Sequence, residues 1–152
     1  MIFLSCLALW RICPTGSARL VAVPRKTDVR GPGNLPPDPR DLIGRDDELA
    51  WLARESTDDG GRLLTLLGVG GVGKTRIALR AAEQARQAYP DGVWVVELSW
   101  LRAQGQLPLA VMEAVRLADQ STGSAIEALS VWAQDKRLLL VLDSCEHLLA
   151  DC

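Results

Sequence analysis

Residues 41–152 are expected to form an α/β unit, a parallel sheet with helices on both faces. Three observations carry this expectation. Three short apolar runs, 62–67, 93–98 and 138–143, have the length of strands. Between them lie segments in which apolar residues recur at helical spacing. The second and third runs, "VWVVEL" and "LLLVLD", lack apolar/polar alternation, as strands covered on both faces should.

The elements follow in order. "GRDDELAWLARE" places Asp46, Asp47 and Glu48 where acids suit the positive end of a helix dipole, with Leu49, Leu52 and Ala53 on one face. "STDDGG" ends that helix. The run 62–67 leads into a glycine cluster, and from Lys74 the spacing of Ile77, Ala78, Ala81, Ala82 and Ala85 gives a buried helix face, broken by "YPDG" at 89–92. After the second strand, Leu109, Ala110, Ala114, Val115 and Ala118 predict another helix. Ser124 with Glu127 then forms a capping box that opens a helix through Ile126, Leu129 and Ala133.

The chain before this unit reads differently. "PRKTDVRGPGNLPPDPR", residues 24–40, is proline-rich and has no apolar periodicity, so it is expected to be an extended linker. Residues 1–23 open with "MIFLSCLALW", which has no basic segment before its apolar core and is far short of the ~20 residues of a membrane-spanning helix. They are expected to be a poorly ordered apolar leader or the tail of something upstream, with a cleaved signal peptide as the alternative. The 152 residues carry a net charge of -2 and no strongly basic surface, and no helix-turn-helix pattern precedes the linker, so neither membrane insertion nor direct DNA binding is expected. The four cysteines match no CxxC spacing, which fits free thiols in a reducing, cytoplasmic setting.

The glycine cluster carries chemistry. Gly68, four residues, then Gly73, Lys74 and Thr75 satisfy the P-loop pattern, after a predicted strand and at the start of a predicted helix. Phosphate oxygens need several backbone N–H donors converging on one point. Glycine permits the required backbone angles, and a helix N-terminus adds positive potential. Gly68, Val69, Gly70, Gly71, Val72, Gly73, Lys74, Thr75 and Arg76 are therefore the candidate phosphate-binding residues, which makes the unit a P-loop NTPase. Lys74 would reach the β and γ phosphates, and the Thr75 hydroxyl would ligate Mg2+. Asp143, closing "LLLVLD", is placed as the Walker B carboxylate that completes the metal site. Glu146 is a candidate base for the attacking water, with a solvated or helix-capping carboxylate as the alternative. Cys145 and His147 lack further ligands at usable spacing for a metal. Trp94 and Trp132 are expected in the core, and Trp51 and Trp100 partly exposed.

"NLPPDPRDLIGRDDEL", "LGVGGVGKTRIAL", "VWVVELSWL" and "LLLVLDSCEHLL", in this order, resemble the nucleotide-binding domain of the STAND class of P-loop NTPases. The likeness is to the NB-ARC-like ATPase of large bacterial LuxR-type and antibiotic-regulatory transcription activators, and it covers residues 34–152. It implies that backbone around Leu42, Ile43, Gly44 and Arg45 lies against adenine, so that the nucleotide is ATP or ADP. It also implies a switch in which exchange of ADP for ATP permits self-association. Ser144 stands where the family usually has Asn, a departure that touches hydrolysis more than binding.

The resemblance further implies a strand beyond the Walker B strand, inserted between it and the P-loop strand. Without that strand two rows of backbone groups would be unpaired, at about 1–3 kcal/mol for each buried group, and the chain is therefore expected to be an incomplete domain. A nucleotide-binding switch of a transcriptional regulator is the first reading; a self-sufficient ATPase or small-molecule kinase and a non-functional truncated product are the alternatives.

Overall fold

The computed structural model describes residues 4–12, 32–37, 42–57, 63–102, 105–118 and 123–145. In chain order the elements are β1 (Leu4–Ile12), α1 (Asp46–Thr57), β2 (Leu63–Val69), α2 (Lys74–Ala85) with a 3-10 turn at Arg86–Ala88, β3 (Val93–Glu97), α3 (Leu107–Ala114), α4 (Ala125–Ala133) and β4 (Leu138–Asp143). The three strands expected from the apolar runs are present as β2, β3 and β4.

The sheet has the order β2-β1-β4-β3. β3 and β4 are parallel, from Val93 opposite Leu139 to Glu97 opposite Asp143. β2, β3 and β4 run the same way, as expected, and β1 adds a strand that the sequence reading did not contain: residues 4–12, expected within a poorly ordered leader, form a central strand antiparallel to both β2 and β4. Its register pairs Leu4 through Trp10 with Val69 through Leu63, and Leu7 through Ile12 with Asp143 through Leu138. The physical reason is the requirement that buried backbone N–H and C=O groups find partners. The slot between β2 and β4 exposes two unpaired rows, and an apolar extended segment from the same chain satisfies both.

Because β1 is antiparallel to each neighbour, β2, β3 and β4 all run the same way. Their C-terminal residues Val69, Glu97 and Asp143 therefore lie along one end of the sheet, where open α/β sheets place ligands.

Strand alternation divides the core between the two faces. Val93, Leu139 and Val141 pack with Leu49 and Leu52 of α1 and with Ile77, Ala78, Ala81, Ala82 and Ala85 of α2. Trp94, Val96, Leu138, Leu140 and Leu142 pack on the other face with Leu107, Ala110, Val111 and Val115, and with Leu129 and Trp132 of α4. The small alanine stripe of α2 lets that helix sit close to the strands, as its periodicity predicted. In α3, Ala110 and Val115 are buried and Ala114 packs against the core as expected; Leu107 and Val111 join them, whereas Leu109 is exposed. In α4, Ile126 is likewise exposed. Trp51 and Trp100 are exposed and Trp94 is buried, as expected.

Helix ends show their causes. Ser124 accepts from the Glu127 N–H, and the Glu127 side chain accepts from the Ser124 N–H, the capping box expected from sequence. α3 ends in a Schellman turn, with the Leu117 N–H bonded to the Met112 carbonyl and the Arg116 N–H to the Glu113 carbonyl. Arg116 occupies the left-handed position of that turn, at φ 56.

The described part of the proline-rich segment, 32–37, is docked on the free edge of β3. The Val93 N–H donates to the Pro32 carbonyl (3.3 Å) and the Asn34 N–H to the Val93 carbonyl (3.2 Å). The Asn34 side chain then imitates a strand: Nδ2 donates to the Val95 carbonyl (2.8 Å) and Oδ1 accepts from the Val95 N–H (2.6 Å). The approach is so close that a Cβ on Gly33, at φ 144, would lie 2.2 Å from the Val93 carbonyl oxygen.

No helix among the described residues is long and apolar enough to cross a membrane.

Candidate functional site

The site is built where β2 turns into α2. β2 ends at Val69, α2 begins at Lys74, and Gly70 to Gly73 make the turn between them. Gly71 and Gly73 adopt φ 80 and 92, a left-handed conformation that strains any residue with a Cβ. Gly73 is the N-cap of α2 and contributes no side-chain cap, so no side chain competes for the first-turn amides of the helix. Gly68 has a packing role: a Cβ there would stand 3.3 Å from Val72 Cγ1 and 3.7 Å from Lys74 Cδ.

Lys74 is 8% exposed and is the buried charged side chain among the described residues. A buried ammonium needs acceptors. Its Nζ donates to the carbonyls of Gly68 (3.0 Å) and Val69 (2.8 Å), the strand end on which the loop is mounted. The charge is thus held inside the curl of the loop by neutral acceptors, and no acidic side chain among the described residues pairs with it.

On the next residue, Thr75 Oγ1 donates to Asp143 Oδ1 (3.0 Å). The strand alternation that puts Leu139 and Val141 against α2 also turns Asp143 to that face. A hydroxyl and a carboxylate, hard oxygen donors, therefore sit together beside the lysine. Among the described residues no group of three or more His, Cys, Asp or Glu could hold a metal ion without other ligands.

Of the candidate adenine-side residues, Arg45 reaches the loop. One guanidinium nitrogen donates to the Val72 carbonyl (3.4 Å), and the other pairs with Glu48 (2.6 Å). The hydrogen bond from Arg45 holds the Glu48 carboxyl below its ordinary value of 4.5. Gly44 is left-handed at φ 72, and Ile43 is 90% exposed. Arg76 lies on the exposed side of the first turn of α2.

The structure thus brings together residues 68–75, Asp143 and Arg45. Glu146 and His147 lie outside the described residues. Ser144 follows β4 at φ 60, a left-handed position that Asn tolerates better than Ser. Sequence reasoning passed over Glu97. The signal was available in the strand ends: "VWVVE" and "LLLVLD" both finish on an acid, and parallel pairing sets Glu97 opposite Asp143.

The NB-ARC domain family matches residues 46–146. A putative HTH-type transcriptional regulator of Mycobacterium tuberculosis is 41% identical over 91 residues, 60% of this chain and 10% of that protein. An uncharacterized protein of the same species is 37% identical over 111 residues, 73% of this chain and 28% of its own length. The regulatory protein AfsR of Streptomyces coelicolor is 31% identical over 131 residues, 74% of this chain and 13% of AfsR. The chain therefore spans only a small part of these relatives. No solved structure matches it significantly. With two-thirds of its length matched, from the acidic first turn of α1 to just past β4, the chain belongs to the NB-ARC family of nucleotide-binding domains.

Proposed function

We propose that this domain binds ATP and ADP with magnesium and serves as the nucleotide switch of a signal-responsive transcriptional regulator. The observation that carries the binding reading is the constellation of Lys74, Thr75 and Asp143 around a left-handed glycine turn. The loop amides and the α2 N-terminus would take the phosphate oxygens. Lys74 would exchange its two carbonyl acceptors for phosphate oxygens, which form stronger charge-assisted bonds. Thr75 and Asp143 would hold the magnesium ion, whose chemistry is to neutralise phosphate charge. Arg45, tied to the Val72 carbonyl, would couple residues 42–45 on the adenine side to the loop. Support for the regulator reading comes from relatives named as transcriptional regulators and as AfsR.

Equilibrium binding of a fluorescent ATP analogue with magnesium tests this. Lys74→Ala should weaken binding about 10- to 100-fold, the worth of hydrogen bonds to a charged group. Unchanged affinity in that variant would refute the assignment.

A further inference from the structure

β3 and β4 each end on a carboxylate, and the parallel register sets Glu97 directly opposite Asp143. Opposed residues of neighbouring strands project to the same face, about 4.8 Å apart. Residues of β3 alternate accordingly: Trp94 and Val96 serve the α3 side of the core, and Val93 and Val95 serve the α2 side. Glu97 continues the second set, on the face where Asp143 meets Thr75. It is exposed rather than packed, so the core does not require it. Ser99 Oγ donates to Glu97 Oε1, which restrains the carboxylate. No basic side chain among the described residues pairs with Glu97 or Asp143.

We propose that Glu97 is a positioning residue for magnesium in this site, accepting hydrogen bonds from water on the ion while Thr75 and Asp143 are its direct protein ligands. The inference rests on the reading that the loop binds magnesium nucleotide. Magnesium retains several waters when protein-bound and usually has only one or two carboxylate ligands. A carboxylate one strand further out is suited to those waters, and Ser99 keeps it aimed. Partners of this kind tune metal affinity without touching the metal.

The test is a magnesium titration of nucleotide binding to the whole chain, read with the same fluorescent analogue, for the parent, Glu97→Gln, Ser99→Ala and Asp135→Asn. Asp135, exposed in the turn before β4 and so at the opposite end of that strand from Asp143, controls for loss of one negative charge. Glu97→Gln should raise the magnesium concentration at half-saturation about tenfold or more, and leave binding in EDTA no weaker than in the parent. Ser99→Ala should shift it in the same direction by less, and serves if Glu97→Gln fails to fold. Asp135→Asn should leave it unchanged. Intact parental binding with an unmoved magnesium requirement in Glu97→Gln, or an equal shift in Asp135→Asn, would overturn this inference alone. A parent chain that binds no nucleotide at any magnesium concentration would overturn the binding reading with it.

Discussion

Thr75 and Asp143, 68 residues apart in sequence, are joined by a single hydrogen bond of 3.0 Å between the first turn of α2 and the end of β4. The bond fixes the Asp143 carboxylate beside the loop before any ligand arrives, so little side-chain ordering remains for binding to impose.

Removing the hydroxyl should therefore be felt in the ligand-free protein. Thr75→Ala is expected to lower unfolding free energy by about 1 kcal/mol, since Asp143 is half-buried and loses its donor. Thr75→Ser keeps the donor and should cost less. Urea titration of the three proteins measures this, and equal loss in both variants would point to the Thr methyl instead.

Asn34 closes the open edge of β3 with two hydrogen bonds to Val95. Asn34→Ala should destabilise the fold by about 1–2 kcal/mol, because both Val95 backbone groups lose a partner. Asn34→Asp should also destabilise, since a carboxylate cannot donate to the Val95 carbonyl. Chemical denaturation decides, and a midpoint unmoved by either change would show that the edge is satisfied otherwise.

Leu9 pairs with Leu64 on one side and Val141 on the other, in the middle of the central strand. Leu9→Pro removes a ladder donor and fixes φ in the middle of a strand paired on both sides. A loss of about 2 kcal/mol or more is expected, visible as a lower thermal midpoint. A variant that melts with the parent would contradict the place of β1 between β2 and β4.

Glu48 titrates below 4.5 because Arg45 donates to it. A carboxyl depressed in the folded state contributes stability that is present above its unfolded value and fades as pH falls through the folded one. In Arg45→Ala the Glu48 carboxyl should titrate closer to 4.5, and the acid-side loss of stability below that pH should become shallower. Carboxyl chemical shifts followed against pH measure the first, and an unchanged titration would assign the shift to another cause.

Strands and caps whose causes are local were legible in the sequence. The apolar runs of β2, β3 and β4, the alanine stripe of α2 and the Ser124–Glu127 box need no distant partner to be read. The P-loop was legible because its glycines and Lys74 satisfy a local backbone requirement. β1 was not, since nothing within "MIFLSCLALW" says that two remote strands leave a slot of its length. Asn34 was missed for the same reason, being one polar residue in a proline-rich stretch whose partner Val95 lies 61 positions on. The α3 stripe was read in part: Ala110, Ala114 and Val115 pack in the core as expected, but the helix starts earlier, at Leu107, and the left-handed Arg116 ends it before Ala118. Glu97 acquires meaning only from register, which a single strand does not carry.

The central claim is that the turn from Gly68 to Thr75 holds a polyphosphate. Backbone amide NMR shifts of the labelled chain, followed as magnesium ADP is added, test it most directly. The largest saturable changes should fall on the amides of residues 69–75, with smaller ones at 42–45 and Asp143. Saturable binding that leaves the 69–75 amides unmoved would contradict it.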